Sequence, residues 1–192
     1  TVNTPTYDMS KLTDGNYEVT VRAIPGDSVH DVSEWSDVFT FTRDKETGCT
    51  YKLINNNTAY EISRCPTSIT GDMVIEEIYR GKPVIRIAQN AFKGSKIENL
   101  VIGKNITYIG DGAFYKTAIQ NIAIPAAVNT IGNESFRYCD KLTSVTLADG
   151  ALTAIGDYAF GNAMITRFVF PETTAAKLTI GKDIFRGCRN LT

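Results

Sequence analysis

The sequence contains a single histidine, His30. That excludes a His-rich zinc site and sets aside most His-based catalytic triads. His30 also lies in a polar stretch, DSVHDVSEW, where it reads as an exposed side chain rather than a ligand. No apolar run approaches the ~18 residues that a membrane helix needs, so direct membrane insertion is not expected. Twenty Lys and Arg stand against 21 Asp and Glu, for a net charge of −1. Such a balance provides no global field for nucleic acid or a membrane surface. There is no P-loop, no Gly-x-Ser-x-Gly, no His-Glu-x-x-His and no Asp-rich calcium loop. The chain begins at Thr1 without Met and without a basic-then-apolar leader, so it is expected to be cut from a longer protein. These absences point away from an enzyme. No catalytic residue, cofactor or metal site is expected.

What is present is repetition. The string Ile-Gly-x-x-x-Phe recurs at 109–114, 131–136, 155–160 and 180–185, and 87–92 is an earlier copy with Ala88 in the glycine place. The phenylalanines fall at 92, 114, 136, 160 and 185, each five residues after its isoleucine. After each of the first four comes an apolar triplet at offsets 0, +3 and +5: Ile97/Leu100/Ile102, Ile119/Ile122/Ile124, Leu142/Val145/Leu147 and Ile165/Phe168/Phe170. Two spacings held fixed over so many copies define a repeat protein. The last two members of each triplet alternate, which is the period of a short strand with one buried face. Gly110, Gly132, Gly156 and Gly181 are expected to supply a positive φ or a close backbone approach at the same corner of each unit. Each Phe then fills the interior beneath a tight or 3₁₀ turn. One unit cannot bury its apolar ring alone, but stacked units can. The fold expected is mainly β: a solenoid of short parallel strands, with a small antiparallel β segment at the N-terminus. Where the repeat lengthens, at DGALTA and PETTAAKLT, surface loops on one side are expected. Asp111, Asp140 and Asp157 fall on different turns and read as solvated groups rather than an acid/base pair.

Charge divides the chain. Residues 1–48 hold nine acids and four bases, whereas residues 49–192 hold twelve acids and sixteen bases. A boundary is therefore expected near Lys45-Glu46-Thr47-Gly48.

From Ile85 to Thr192 the Ile-Gly-x-x-Ala-Phe turns, the Leu-x-x-Val-x-Leu strands and the steps Ile124-Pro125 and Phe170-Pro171 resemble the BspA-like leucine-rich repeats. Residues 51–92, with Gly81-Lys82-Pro83-Val84, resemble the segment that leads into such repeats. Ala88 in place of Gly, and Gly103 and Ala148 in place of the post-strand Pro, depart from the pattern. The resemblance implies a leucine-rich-repeat solenoid in an extracellular or cell-surface protein, bacterial or protist, that binds something. It brings no catalytic residues. More weakly, LTDGNYEVTVRA (12–23) followed by SEWSDVFTFT (33–42) resembles part of a fibronectin type III domain, with Tyr17 as its corner tyrosine and Val19, Val21 and Ala23 alternating along a strand. The expected organisation is a partial fibronectin-like β segment over 1–45, a β-hairpin leading or capping segment over 46–84, and about five repeat turns over 85–192. The next strand should begin at Leu191-Thr192, so the parent chain is expected to continue, or another copy to cover the end.

Cys139 and Cys188 each lie three residues after a repeat Phe and two repeats apart, too far for a bridge, and read as small buried hydrophobes. Cys49 and Cys65 flank two strand-like runs around Asn55-Asn56-Asn57, and a hairpin there brings them close. The family context implies an oxidising exterior, which leaves a Cys49–Cys65 disulfide standing against two free thiols.

Three function classes follow. The first is a non-catalytic module for adhesion or protein–protein interaction, binding surface proteins of a host or neighbouring cell. Its candidate face is formed by the residues between the triplet positions, which point outward in two columns: Asn99, Asn121, Ser144 and Arg167, and Val101, Ala123, Thr146 and Val169. The second is a module for carbohydrate or an anionic wall polymer, with Lys93, Lys116, Arg137 and Arg186 as a basic edge, since each follows a repeat Phe by one or two residues. The third is an accessory region of a larger secreted enzyme.

Overall fold

The computed structural model describes residues 15–20, 38–44, 46–170 and 178–192. Strands numbered in chain order form two sheets. The first runs β1 (Gly15–Thr20), β2 (Val38–Arg43), β3 (Thr50–Ile54), β4 (Ala59–Arg64), β7 (Lys82–Ile87), β9 (Tyr108–Ile109), β11 (Thr130–Ile131), β13 (Ala154–Ile155) and β15 (Thr179–Ile180), with β6 (Ile78–Tyr79) paired to β7. The second runs β5 (Thr70–Ile75), β8 (Lys96–Ile102), β10 (Asn121–Ile124), β12 (Ser144–Leu147) and β14 (Arg167–Val169). Every pairing in the second sheet is parallel, and the first becomes parallel from β4 onward along its main path, while β6 pairs antiparallel with β7. No helix occurs among the described residues. This is the solenoid that the repeat predicts. Each coil contributes one strand to each sheet, and a single apolar core runs between them.

The corners differ from the sequence expectation in an informative way. Positive φ does not fall on the repeat glycines. It falls two residues later (Asn90, Gly112, Glu134, Tyr158, Asp183) and again two residues after each Phe (Gly94, Lys116, Tyr138, Asn162, Gly187). Between those points lie three overlapping β-turns rather than a 3₁₀ helix: Ala113 N–H donates to Gly110 C=O, Tyr115 to Gly112 and Thr117 to Phe114. The first and third turns have φ > 0 at their third residue, as a type II turn requires. The intervening N–H groups reach the next coil instead, Phe92 to Ala113 C=O and Gly94 to Tyr115 C=O, both at 2.8 Å.

Close approach is what the glycines provide. A Cβ built on Gly132 would lie 2.6 Å from Asp111 N and 2.7 Å from Gly110 C, distances at which something must shift. Ala88 occupies the same place where the layer beneath is β4, to which its N–H donates at Ile62 C=O, and not another Ile-Gly corner. Inside each corner the phenylalanines form one stack. Ring centroids of Phe92, Phe114, Phe136 and Phe160 are 5.1, 5.1 and 5.4 Å apart, with interplanar angles of 9–18°. All four are fully buried, and burial of each contributes roughly 1.5–3 kcal/mol.

At the N-terminal end, β3 and β4 form the expected hairpin, turned by Asn55, Asn56 and Asn57, all at positive φ. Asparagine tolerates that region better than most residues. Cys49 and Cys65 are joined by a disulfide, with Cα atoms 4.1 Å apart. Cys65 N–H also donates to Ala91 C=O in the first corner, so the bridge ties the hairpin to the repeats. Tyr51 and Tyr79 stack at 3.9 Å and Tyr60 meets both edge-on, so the end of the core is closed by aromatic rings. Burial, followed by the Asp44 charge, pushes the Tyr51 phenol up. The hairpin also starts the solenoid: β4 is the first parallel rung of one sheet and β5 that of the other.

β1 and β2 pair antiparallel with each other, and β2 pairs antiparallel with β3. The fibronectin-like reading is not shown by these two strands. Val21 and Ala23, the Tyr17 side chain, His30 and most of the PETTAAKLT loop lie outside the described residues.

Candidate functional site

The second sheet displays the two columns that the triplet spacing predicts. Asn121 lies opposite both Asn99 and Ser144, and Ser144 opposite Arg167. Ala123 pairs with Thr146 and Thr146 with Val169. All eight predicted residues, Val101 included, are exposed, while their triplet neighbours turn inward over β8, β10 and β12. At β14 the inward residues are less covered, Phe168 being half-buried and Phe170 exposed.

Sequence reading missed one rung. β5 lacks the Ile-Gly-x-x-x-Phe signature, yet it adds Asp72 opposite Asn99 and Val74 opposite Val101. Asn99 Nδ2 donates to Asp72 Oδ1 at 2.7 Å, so the polar column opens on a carboxylate and closes on Arg167. The other column is largely aliphatic, with Val74, Val101 and Val169 exposed by 49%, 61% and 51%. The alternation Met73-Val74-Ile75 was the available signal.

The basic edge is built differently from a column of solvated charges. Lys93, Arg137 and Arg186 follow their Phe by one residue, but Lys116 follows by two. Arg137 is held by Glu134 at 2.6 Å and Arg186 faces Asp183 at 3.6 Å, so two of the four cations already have carboxylates. Three tyrosines that the sequence reading did not single out lie among them. Lys93 Nζ sits 5.0 Å from the Tyr115 ring, Lys116 Nζ 5.6 Å from Tyr138, and the Arg137 guanidinium 4.9 Å from both Tyr138 and Tyr158. Cation–π contacts of this kind hold flexible side chains in place. The pairs Tyr115-Lys116 and Arg137-Tyr138 were legible in the sequence.

Nor are Asp111 and Asp157 merely solvated. Asp111 Oδ1 accepts the Asn133 N–H, Asn133 Oδ1 accepts the Asp157 N–H, and Asp157 Oδ1 accepts the Lys182 N–H, at 2.6–2.8 Å. One side chain per coil thus clamps the coil above. Asp140 is exposed. Among the described residues no three His, Cys, Asp or Glu side chains are grouped to hold a metal ion. The two thiols are structural: Cys139 and Cys188 each donate to the Phe carbonyl of the coil before, Phe114 and Phe160, at 3.1 Å. Burial pushes the Cys139 thiol up to about 11.

The family model described as BspA type Leucine rich repeat region matches residues 71–192 in six copies. No curated protein matches the chain. Among solved structures, the pneumococcal vaccine antigen PcpA is similar at a TM-score of 0.55 and 18% identity, over 77% of this chain and 47% of that one. A leucine-rich repeat protein of Bacteroides capillosus gives 0.49 and 20%, over 77% of this chain and 93% of that one. One of T. pallidum gives 0.48 and 24%, over 79% and 59%. The chain thus spans about half the length of the pneumococcal structure, and at 18% identity that likeness shows the fold.

Proposed function

This chain belongs to the BspA-type leucine-rich repeat family, and on that premise we propose that it is a non-catalytic binding module of an extracellular or cell-surface bacterial protein. Its partners, in this reading, are surface proteins of a host or neighbouring cell, met through the second sheet in an adhesive contact. The observation that carries the proposal is the pair of exposed columns held in register on β5, β8, β10, β12 and β14. Side chains on rigid parallel strands at fixed spacing form a preorganised surface, which lowers the cost of binding. The aliphatic column supplies area to desolvate, and Arg167 is the one residue of the kind that dominates protein interfaces. A surface so poor in large anchors suits a broad, weak contact made strong by repetition in a longer protein. The Cys49–Cys65 disulfide supports an oxidising, extracellular setting. So does the same fold in a protein described as a vaccine antigen.

Ala123→Glu with Thr146→Glu puts two neighbouring carboxylates on the aliphatic column without touching the core. In a capture experiment against purified host surface proteins, the native chain should retain a protein that this variant releases. Equal retention by both, or none by the native chain, contradicts the proposal.

A further inference from the structure

The polar column of the second sheet has ends of opposite charge. β10 is the middle of five strands, with β8 and β5 on one side and β12 and β14 on the other. The column carries Asp72 on β5 and Arg167 on β14, and the residues paired between them, Asn99, Asn121 and Ser144, are neutral. Asp72 and Arg167 are both exposed, and neither has an ion-pair partner among the described residues. The aliphatic column stands two residues further along each strand and carries no charge. Its two ends are its most apolar parts: exposed Ile78 lines a hollow with Val74 and Val101, and exposed Phe170 lines another with Val169.

We propose that this face pairs with a second copy of itself, turned about a two-fold axis that runs along β10. Such an axis keeps the strand direction and reverses the strand order. Polar column then lies on polar column and aliphatic on aliphatic. Asp72 meets the partner's Arg167, Asn99 meets the partner's Ser144, and Val74 meets the partner's Val169. Each of these pairings occurs twice, as in any isologous contact. Sheets packed face to face with their strands nearly aligned are a common arrangement. The other two-fold, along the stack, would lay polar column on aliphatic column and bury both charges against apolar side chains, which is costly. Charge therefore selects the first axis.

The inference rests on the reading of this face as the binding surface, and it names the partner as the same protein on a neighbouring cell. Reversing one stack against the other is what chains projecting from two facing cells require. Four strand spacings of about 4.8 Å make the face roughly 19 Å wide, less than a stable standard-sized interface needs. One pair of chains therefore associates weakly, and repetition along a longer protein strengthens the contact.

Sedimentation equilibrium of the 192-residue chain, at concentrations up to about 1 mM, tests the pairing. The native chain should approach twice its mass of 21.1 kDa as concentration rises. Asp72→Arg sets cation against cation and Arg167→Asp sets carboxylate against carboxylate, so each variant alone should self-associate at least tenfold more weakly. Mixed in equal amounts, the two variants should pair with each other. Asp72→Arg with Arg167→Asp in one chain should dimerise as the native chain does. Ala123→Glu puts a carboxylate on the axis, facing its own counterpart, and should abolish the dimer. If a charge-reversed variant melts early, Asp72→Lys and Arg167→Glu serve instead. A native chain that stays monomeric, a dimer indifferent to both reversals, or reversed variants that fail to pair overturns the proposal. A monomeric chain that still captures a host surface protein keeps the binding face and loses this partner. A dimer that responds to the reversals while no host protein is captured contradicts the host reading alone.

Discussion

Asn133 Oδ1 accepts the backbone N–H of Asp157 at 2.7 Å, while the Asn133 N–H donates to Asp111 Oδ1 at 2.8 Å. One residue therefore joins the coil below to the coil above with its backbone and its side chain. Asn133→Ala removes an acceptor from this chain of bonds and should cost about 1 kcal/mol. Asn133→Asp keeps the acceptor and should be near native. Urea unfolding followed by circular dichroism measures both; an alanine variant as stable as the native chain would show that the clamp contributes nothing.

Gly132 and Phe136 test the corner from opposite sides. Gly132→Ala drives a methyl into the Asp111 backbone and should destabilise by about 1–3 kcal/mol through overpacking. Phe136→Ala opens a void in the middle of the ring stack and should cost about 3–5 kcal/mol. The same unfolding measurement ranks them. If Gly132→Ala is neutral, the coils are not in the close contact described.

These corners also show what the sequence could and could not disclose. Fixed offsets of Phe and of the apolar triplets were enough to give the solenoid, its buried rings and the eight outward positions, because burial imposes its period on the chain. The glycines were legible as special, but not why. Close approach depends on the neighbouring coil, which local spacing does not contain, and the positive φ fell two residues on, where Asn90, Gly112 and Asp183 are types that favour it but Glu134 and Tyr158 are not. The Asp111–Asn133–Asp157 clamp was hidden for the same reason. β5 escaped because its rung is held by pairing with β8 and not by the repeat motif.

The four cysteines should separate into three chemical classes. Alkylation of the denatured, unreduced chain should add two labels, and reduction beforehand should raise this to four, because Cys49 and Cys65 are bridged. Four labels without reductant contradict the bridge. In the folded chain Cys188, which is half-buried, should react with a thiol reagent well before fully buried Cys139. Equal rates would place Cys139 at the surface.

Cys139 also sets a dependence on pH. Its thiol is held up to about 11 in the folded chain, from an ordinary value near 9.0, chiefly by burial. Between those values the unfolded chain loses its proton first, so stability present below pH 9 should fall as pH rises towards 11. Tyr51, shifted in the same direction, adds to the loss at higher pH. Cys139→Ala should make the fall of the urea midpoint between pH 9 and 11 shallower, the remainder coming from Tyr51 and Cys188, which burial also pushes up. An unchanged slope in that variant contradicts the assignment.

Site-specific photo-cross-linking tests the binding account most directly. A benzophenone side chain placed at Ala123, in the middle of the aliphatic column, or at exposed Asn129, away from it, reports which surface a captured protein touches. The account predicts a covalent adduct from position 123 and none from position 129. An adduct from 129 alone would contradict it.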